Sequence, residues 1–357
     1  MLRPLLLLAA AIATTVAEWM GDDQRRWPRL TKFVSALIVA LVAFSSVFDG
    51  WLARREGIRA YQDERYPTAV DRLSLAANSF FASDVVLGYL ATSYKILADF
   101  TDESSARDQY YQRASEVARD GIARYKSSPH CWNVLINVYR NQRKWADLDQ
   151  IKDTFEQKLR SGSFRVQGKP LSADLRAKYY VTLGNVFADE HYPGYAIEKS
   201  ISYYEEALSH DKNNRFVRLN LPARYNEAAR RSDDVRRRRD FYQRAYDLAV
   251  ESTRSANQQD KAFTLATAIE ALTESRGTIA SGDLRLDDAL RQFEKLAASG
   301  DQIYASDWLV VAEAYLIRGE KILACRAAGK AFEGRVRLSA SNLARVREVH
   351  NKLNCAI

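Results

Sequence analysis

Four histidines and three cysteines are all that 357 residues offer for nucleophilic or metal chemistry. His130, His191, His210 and His350 stand in no HExxH, HxH or CxxH arrangement, and Cys131, Cys325 and Cys355 form no CxxC pair. His130 and Cys131 are neighbours, but adjacent residues of a helix point about 100° apart and make no joint site. "RAAGKAF" (residues 326–332) ends in a Gly-Lys step without the spacing of a phosphate loop, and neither GxGxxG nor GxSxG occurs. The chain is therefore expected to have no catalytic residues, no metal and no cofactor. Cys325, inside an apolar helical stretch, is expected simply to pack, and the odd, sparse cysteine count speaks against a disulfide framework.

Polar binding chemistry is a better match. In "WNVLINVYRN", Asn133, Asn137 and Asn141 are four apart with Arg140 beside them, a spacing that puts them on one helix face. Asparagine is a poor helix former, so three in a row along a face call for a reason. A solvated helix face rich in asparagine is the plain reading of this pattern. Arg236, Arg237, Arg238 and Arg239 form a basic run that could meet anionic lipid or nucleic acid. Asp233, Asp234 and Asp240 bracket it, however, and consecutive helical residues point all round the axis.

The elements that carry these residues are helical. Hydrophobic residues make up 47% and charged residues 27%, enough apolar surface for a core, while only 15 Gly and 7 Pro interrupt the chain. Two patterns recur. One is small–large–small at spacings of four and three: Ala69, Leu73, Ala76; Ser200, Tyr204, Ala207; Ala289, Phe293, Leu296; Ala324, Ala328, Ala331. The other runs through Leu87, Leu90, Ala91, Tyr94; Trp132, Leu135, Tyr139; Tyr180, Leu183, Gly184, Phe187; and Trp308, Val311, Ala312, Tyr315. Small residues let two antiparallel helices approach, and large ones fill the gap to the next hairpin. "ISYYEEALSHDKNN" (201–214) then reads as the second helix of such a unit, with Tyr204 inward and His210, Asp211 and Asn213 in the turn after it.

Together the two signatures resemble the tetratricopeptide repeat, a two-helix unit of about 34 residues, over roughly residues 50–335. The resemblance implies an all-α fold: a right-handed superhelix of stacked antiparallel helix pairs, an α-solenoid of about six degenerate hairpins. Residues 97–112 read as a long connector in the second unit. Residues 53–160 and 175–335 hold the repeats, 161–174 a polar connector, and 336–357 a capping helix. First helices of such repeats line the concave groove, which places Asn133, Asn137, Arg140 and Asn141, with Lys178 and Asn185 of the next fitting unit, at groove positions. The resemblance implies that Asn, Lys and Arg at such positions can hold a peptide carboxylate through side-chain amide and charge-assisted hydrogen bonds, as some arrays of the family do; scattered over non-identical units, this set does not reproduce the full clamp.

The first fifty residues look like a membrane device. Residues 5–17, "LLLLAAAIATTVA", follow Arg3 and have the length of a signal-peptide core; with the basic connector they make up residues 1–30. Residues 33–48 carry no charge, and with their flanks residues 31–52 reach the length of a transmembrane helix, with Trp27 and Trp51 at interfacial positions. Arg25, Arg26, Arg29 and Lys32 favour a cytoplasmic connector and an exterior body; Arg54, Arg55 and Arg59 pull the other way. A hairpin, a single anchor, and two spans with a cytoplasmic body all fit the apolar pattern, and Met20 is an alternative start.

Net charge is +8, with 53 basic residues interspersed among 45 acidic ones. The expected function is a membrane-anchored interaction scaffold at a bacterial inner membrane, its body on the periplasmic side, binding a peptide or protein segment. An enzyme or accessory domain acting on envelope polymer is the alternative from another class. Lipid or nucleic-acid binding through Arg236–Arg239 is a third reading, with nucleic acid disfavoured by the anchor.

Overall fold

The structure, a computed structural model, describes residues 47–275, 285–299, 303–334 and 340–353. Its contacts divide the chain into two compact units, Met1–Leu171 and Ser172–Ile357. Among the described residues both are built from paired helices, as the scarcity of Gly and Pro predicts.

Among its described residues the first unit contains three pairs. Helix α1 (residues 47–62) packs with α2 (Tyr66–Ala77), α3 (Asp84–Phe100) with α4 (Ser104–Arg124), and α5 (Pro129–Asn141) with α6 (Trp145–Arg160). Helix α3 also packs on α5, so first helices adjoin first helices. A small hairpin of β1 (Arg165–Val166) and β2 (Lys169–Pro170) ends the unit. It turns through Gln167 and Gly168, both at positive φ, as tight hairpin turns require. The connector expected over residues 97–112 is a correction: α3 and α4 run through it and leave only residues 101–103 between them.

Among its described residues the second unit contains four pairs and a closing helix. They are α7 (Ala173–Phe187) with α8 (Ile197–His210), α9 (Arg215–Arg231) with α10 (Val235–Ser255), α11 (Gln258–Glu274) with α12 (Leu286–Ala298), and α13 (Ala305–Ile317) with α14 (Lys321–Glu333). Helix α15 (Ala340–Leu353) packs on α13 and α14. The first helices α7, α9, α11, α13 and then α15 form one continuous row of contacts. The seven pairs among the described residues compare with an expectation of about six. Helix α11 made the difference: "QQDKAFTLATAIEALTE" has no aromatic at the signature positions, so only its partner α12 was legible.

The spacing patterns have a direct structural cause. Ala69, Leu73 and Ala76 are fully buried between α1 and α2, and burial of a side chain such as Leu73 contributes about 1.5–3 kcal/mol. At the α7–α8 crossing Ser200 Oγ donates to the Gly184 carbonyl at 2.8 Å. A Cβ on Gly184 would lie 2.9 Å from the Tyr204 ring, which explains glycine there. His210 corrects one detail, being the last residue of α8 rather than part of the turn; its ring stacks on Tyr180 at 5.4 Å.

Three pairs share one turn. Glu64, Arg143 and Gly319 follow α1, α5 and α13 at the same offset, each with positive φ (59°, 57° and 76°). In each turn the next amide donates back to the first helix: Arg65 to Ala60, Lys144 to Tyr139, Glu320 to Tyr315. Other starts are held by side chains, with Ser83, Asn214, Asp234 and Asn257 accepting from backbone amides of the first turn.

Among the described residues no helix is long and apolar enough to cross a membrane. Residues 5–17 and most of residues 31–52 lie outside the described residues. Residues 47–52 belong to α1, which continues to residue 62; a Cβ on Gly50 would meet Ser79 Oγ at 2.6 Å.

Candidate functional site

The six residues singled out in the sequence are divided between the units. On α5, Asn133 and Asn137 are half-buried one turn apart, and Asn137 Nδ2 donates to the Asn133 carbonyl at 2.8 Å. Arg140 Nη2 reaches Asn141 Oδ1 at 3.4 Å. Asn141 turns to the preceding pair: its Nδ2 donates to Asp99 Oδ1 at 2.9 Å, and Tyr111 Oη lies 3.3 Å away. Asn141 thereby lines a cavity of about 850 Å³ with Asp99, Arg107, Arg119 and Lys144. In the second unit Lys178 is exposed on α7, and protein around it lowers its ammonium pKa by desolvation, opposed by Asp174. Asn185 is occupied, its Oδ1 accepting from Tyr204 Oη at 2.5 Å.

The arginine run is a surface feature at the start of α10. Asp234 caps the helix by accepting from the amides of Arg236 and Arg237. Arg237 pairs with Glu198 at 2.6 Å, and Arg238 donates to the Ser232 carbonyl. Cys131 is a free buried thiol whose pKa is pushed up to about 12 by burial, with Asp84 and Asp120 adding to it. Cys325 is disulfide-bonded, which corrects the expectation of simple packing. No cluster of His, Cys, Asp and Glu able to hold a metal occurs among the described residues.

The most concentrated polar site lies on the row of first helices in the second unit. Helices α9, α11, α13 and α15 surround a cavity of about 340 Å³. Arg230 comes from α9, Glu270 and Glu274 from α11, Glu313 from α13 and Arg345 from α15. Arg230 Nη1 donates to Glu270 Oε1 at 2.6 Å and to Glu274 Oε1 at 3.4 Å. Arg345 grips Glu313 with two hydrogen bonds, 2.9 and 2.5 Å, and its guanidinium lies 3.8 Å from Glu270. Asn226 Nδ2 donates to Glu270 Oε2 at 3.0 Å, and Tyr242 Oη to Glu274 Oε2 at 2.7 Å.

Electrostatics set this cluster apart from ordinary surface pairs. Burial raises the pKa of Glu274, and the neighbouring Glu270 adds to the effect against the pull of Arg230. Burial likewise raises Glu313, opposed by its hydrogen bonds from Arg345. Thr273 also lines the cavity; it is 5% exposed, and its Oγ1 has no hydrogen-bond partner among the described residues. Val310, Leu316 and Ile317 supply an apolar wall, with Ile317 61% exposed.

Sequence reasoning missed this cluster. Its one signal was an isolated acid in an apolar helix, Glu313 within "WLVVAEAYLI" and Glu270 within "TLATAIEALT".

An α-helical repeat protein with a charged face on its first helices is what the fold and site define. No protein-family model matches the chain, and no curated protein sequence matches it. Solved structures similar to it include the following three. A tetratricopeptide repeat protein from Parabacteroides merdae has a TM-score of 0.48 and 10% identity over 84% of this chain and 98% of that one. The yeast Sti1 TPR2AB domain in complex with pHSP90 has a TM-score of 0.25 and 13% identity over 85% and 97%. Yeast Tom70 has a TM-score of 0.24 and 10% identity over 85% and 84%. With every score below 0.5, these likenesses assign no function to this chain.

Proposed function

We propose that this protein is a membrane-anchored interaction scaffold that holds a segment of a partner protein against the first helices of its second unit. The observation that carries the reading is the cavity shared by α9, α11, α13 and α15. Four elements, the first helices of three successive pairs and the closing helix, each contribute a side chain to one place, and a segment laid across the row would meet them all. Its lining combines half-buried charge with exposed apolar surface, a composition suited to recognition.

The anchor rests on the sequence, through the uncharged run at residues 33–48 and its basic and aromatic flanks. An exterior body is supported by the basic connector and by the disulfide at Cys325, since disulfides persist in oxidising compartments.

Site-specific photo-crosslinking in cells tests the binding reading. A benzophenone amino acid in place of Ile317 should give a discrete adduct. The same probe in place of Ile322, which is 78% exposed on the second helix α14, should not. Equal yields at both positions, or none at position 317, would overturn the assignment of the binding face.

A further inference from the structure

The second-unit cavity has a charge imbalance that specifies what it accepts. Its inner carboxylates are Glu270, Glu274 and Glu313, and its inner cations are Arg230 and Arg345. Three acids face two bases. At the rim Glu348 and Lys352 pair with each other at 2.6 Å and leave the balance unchanged. Glu313 is satisfied by its two-point contact with Arg345, and Glu270 by Arg230 and Asn226. Glu274 is left with the weakest ionic partner, Arg230 at 3.4 Å, and a neutral donor in Tyr242.

A second observation at the same place also points to a ligand. Thr273, next to Glu274 on α11, is a lining residue of the cavity, and its buried hydroxyl oxygen has no hydrogen-bond partner among the described residues. A buried polar atom left unpaired costs roughly 1–3 kcal/mol, so such atoms in a cavity are suited to a ligand's donors. Val310, Leu316 and Ile317 line the same cavity and would cover the aliphatic stem of a long side chain. The volume of about 340 Å³ is at the small end of the range for binding pockets, large enough for a side chain and small for a folded element.

We infer that this pocket takes one arginine or lysine side chain of an extended partner segment, with Glu274 as its charge partner, Thr273 as its neutral acceptor and the Val310–Leu316–Ile317 wall against its stem. The inference rests on the scaffold reading and adds the chemistry of the partner. It differs in sign from the site expected on α5, where amides and arginine would hold a carboxylate. The burial that raises the pKa of Glu274 is the kind of cost an incoming cation offsets.

The test uses the full chain in detergent and fluorescence anisotropy with three end-blocked, dye-labelled peptides of identical leucine–alanine sequence. The central residue is arginine, its uncharged isostere citrulline, or glutamate. The arginine peptide should bind at least tenfold more tightly than the citrulline peptide, and the glutamate peptide should not bind. Glu274→Gln should remove most of the arginine preference while leaving citrulline binding unchanged. Thr273→Val, which keeps the shape and removes the acceptor, should weaken arginine binding severalfold; it serves as the second variant if Glu274→Gln fails to fold. Equal binding of arginine and citrulline peptides, or none by either, would overturn the inference. In that case an adduct at position 317 would still leave the scaffold reading standing, so the two failures are distinguishable. Free spermidine competing as well as the arginine peptide would assign the pocket to a small polyamine and overturn the peptide assignment.

Discussion

Arg345 on the closing helix α15 reaches back to Glu313 on α13 with both Nε and Nη2, at 2.9 and 2.5 Å, a fork-to-fork contact between side chains of adjoining helices. Such bidentate pairs are among the stronger charge-assisted contacts, and removing one partner leaves the other half-buried and uncompensated. Both side chains keep some exposure, 29% and 24%, so the loss is smaller than for a fully buried pair. Arg345→Ala should cost about 1–2 kcal/mol and raise amide exchange across residues 340–353 before the rest of the second unit. Exchange unchanged in α15 would show that its packing on α13 and α14 suffices without the pair.

Asp307 predicts a pH dependence. It is 3% exposed in the first turn of α13, and burial pushes its pKa up to about 7 against hydrogen bonds from Ser306 and the Tyr304 backbone. The folded state therefore holds this proton more tightly than the unfolded chain does. The stability that this group contributes is fully present at and below the ordinary carboxylate range near pH 4 and is lost as pH rises to about 7. Asp307→Asn stays neutral throughout. Its unfolding free energy should gain on the wild type between about pH 4 and pH 7, by up to about 1.4 kcal/mol for each pH unit of that window. Parallel curves would show that Asp307 titrates normally.

The helix crossing at Gly184 should tolerate no added carbon. A Cβ placed 2.9 Å from the Tyr204 ring must displace that ring and strain the Ser200–Gly184 hydrogen bond. Gly184→Ala is expected to cost about 1–3 kcal/mol as overpacking, where Gly329→Ala on α14, with open space at its Cβ position, should be neutral or slightly stabilising. Chemical denaturation of the two variants in parallel gives the comparison.

The repeated turn offers a stabilising change. Glu64 and Arg143 hold the left-handed conformation that Gly319 holds in the equivalent turn. Glu64→Gly and Arg143→Gly should each stabilise the protein by roughly 0.5–1 kcal/mol, and Gly319→Ala should destabilise it by a similar amount. A fall in melting temperature on either glycine substitution would contradict the turn equivalence.

Thiol chemistry separates the cysteines. Cys131 is buried with its pKa pushed up to about 12, so a maleimide should modify it only after unfolding. Cys325 should react only after reduction. Rapid labelling of Cys325 in untreated native protein would remove the disulfide and with it one support for an exterior body.

The paired helices and their small residues at Ala69, Ser200, Gly184 and Ala324 were legible because a helix repeats every 3.6 residues, and contacts three and four apart are written locally in the sequence. Helix α11 was not, because its buried face carries Ala262, Leu265, Ala266 and Ile269 with no aromatic at the signature positions. Residues 97–112 looked like a connector because Asp99, Thr101 and Asp102 interrupt the apolar pattern; packing of Ala98 and Tyr111 extends α3 and α4 to either side of that gap.

The sequence by itself determined the helical class, the two-helix unit and its tight crossings, since each depends on residues within a few turns of one another. Only the tertiary structure decided that Asn141 and Asn185 are spent on Asp99 and Tyr204, and that Arg230, Glu270, Glu274, Glu313 and Arg345 meet at one cavity. Those five come from four helices at unequal positions in degenerate units, with no fixed sequence spacing between them. Their convergence is set by how successive pairs stack, a property of long-range packing that no local pattern records.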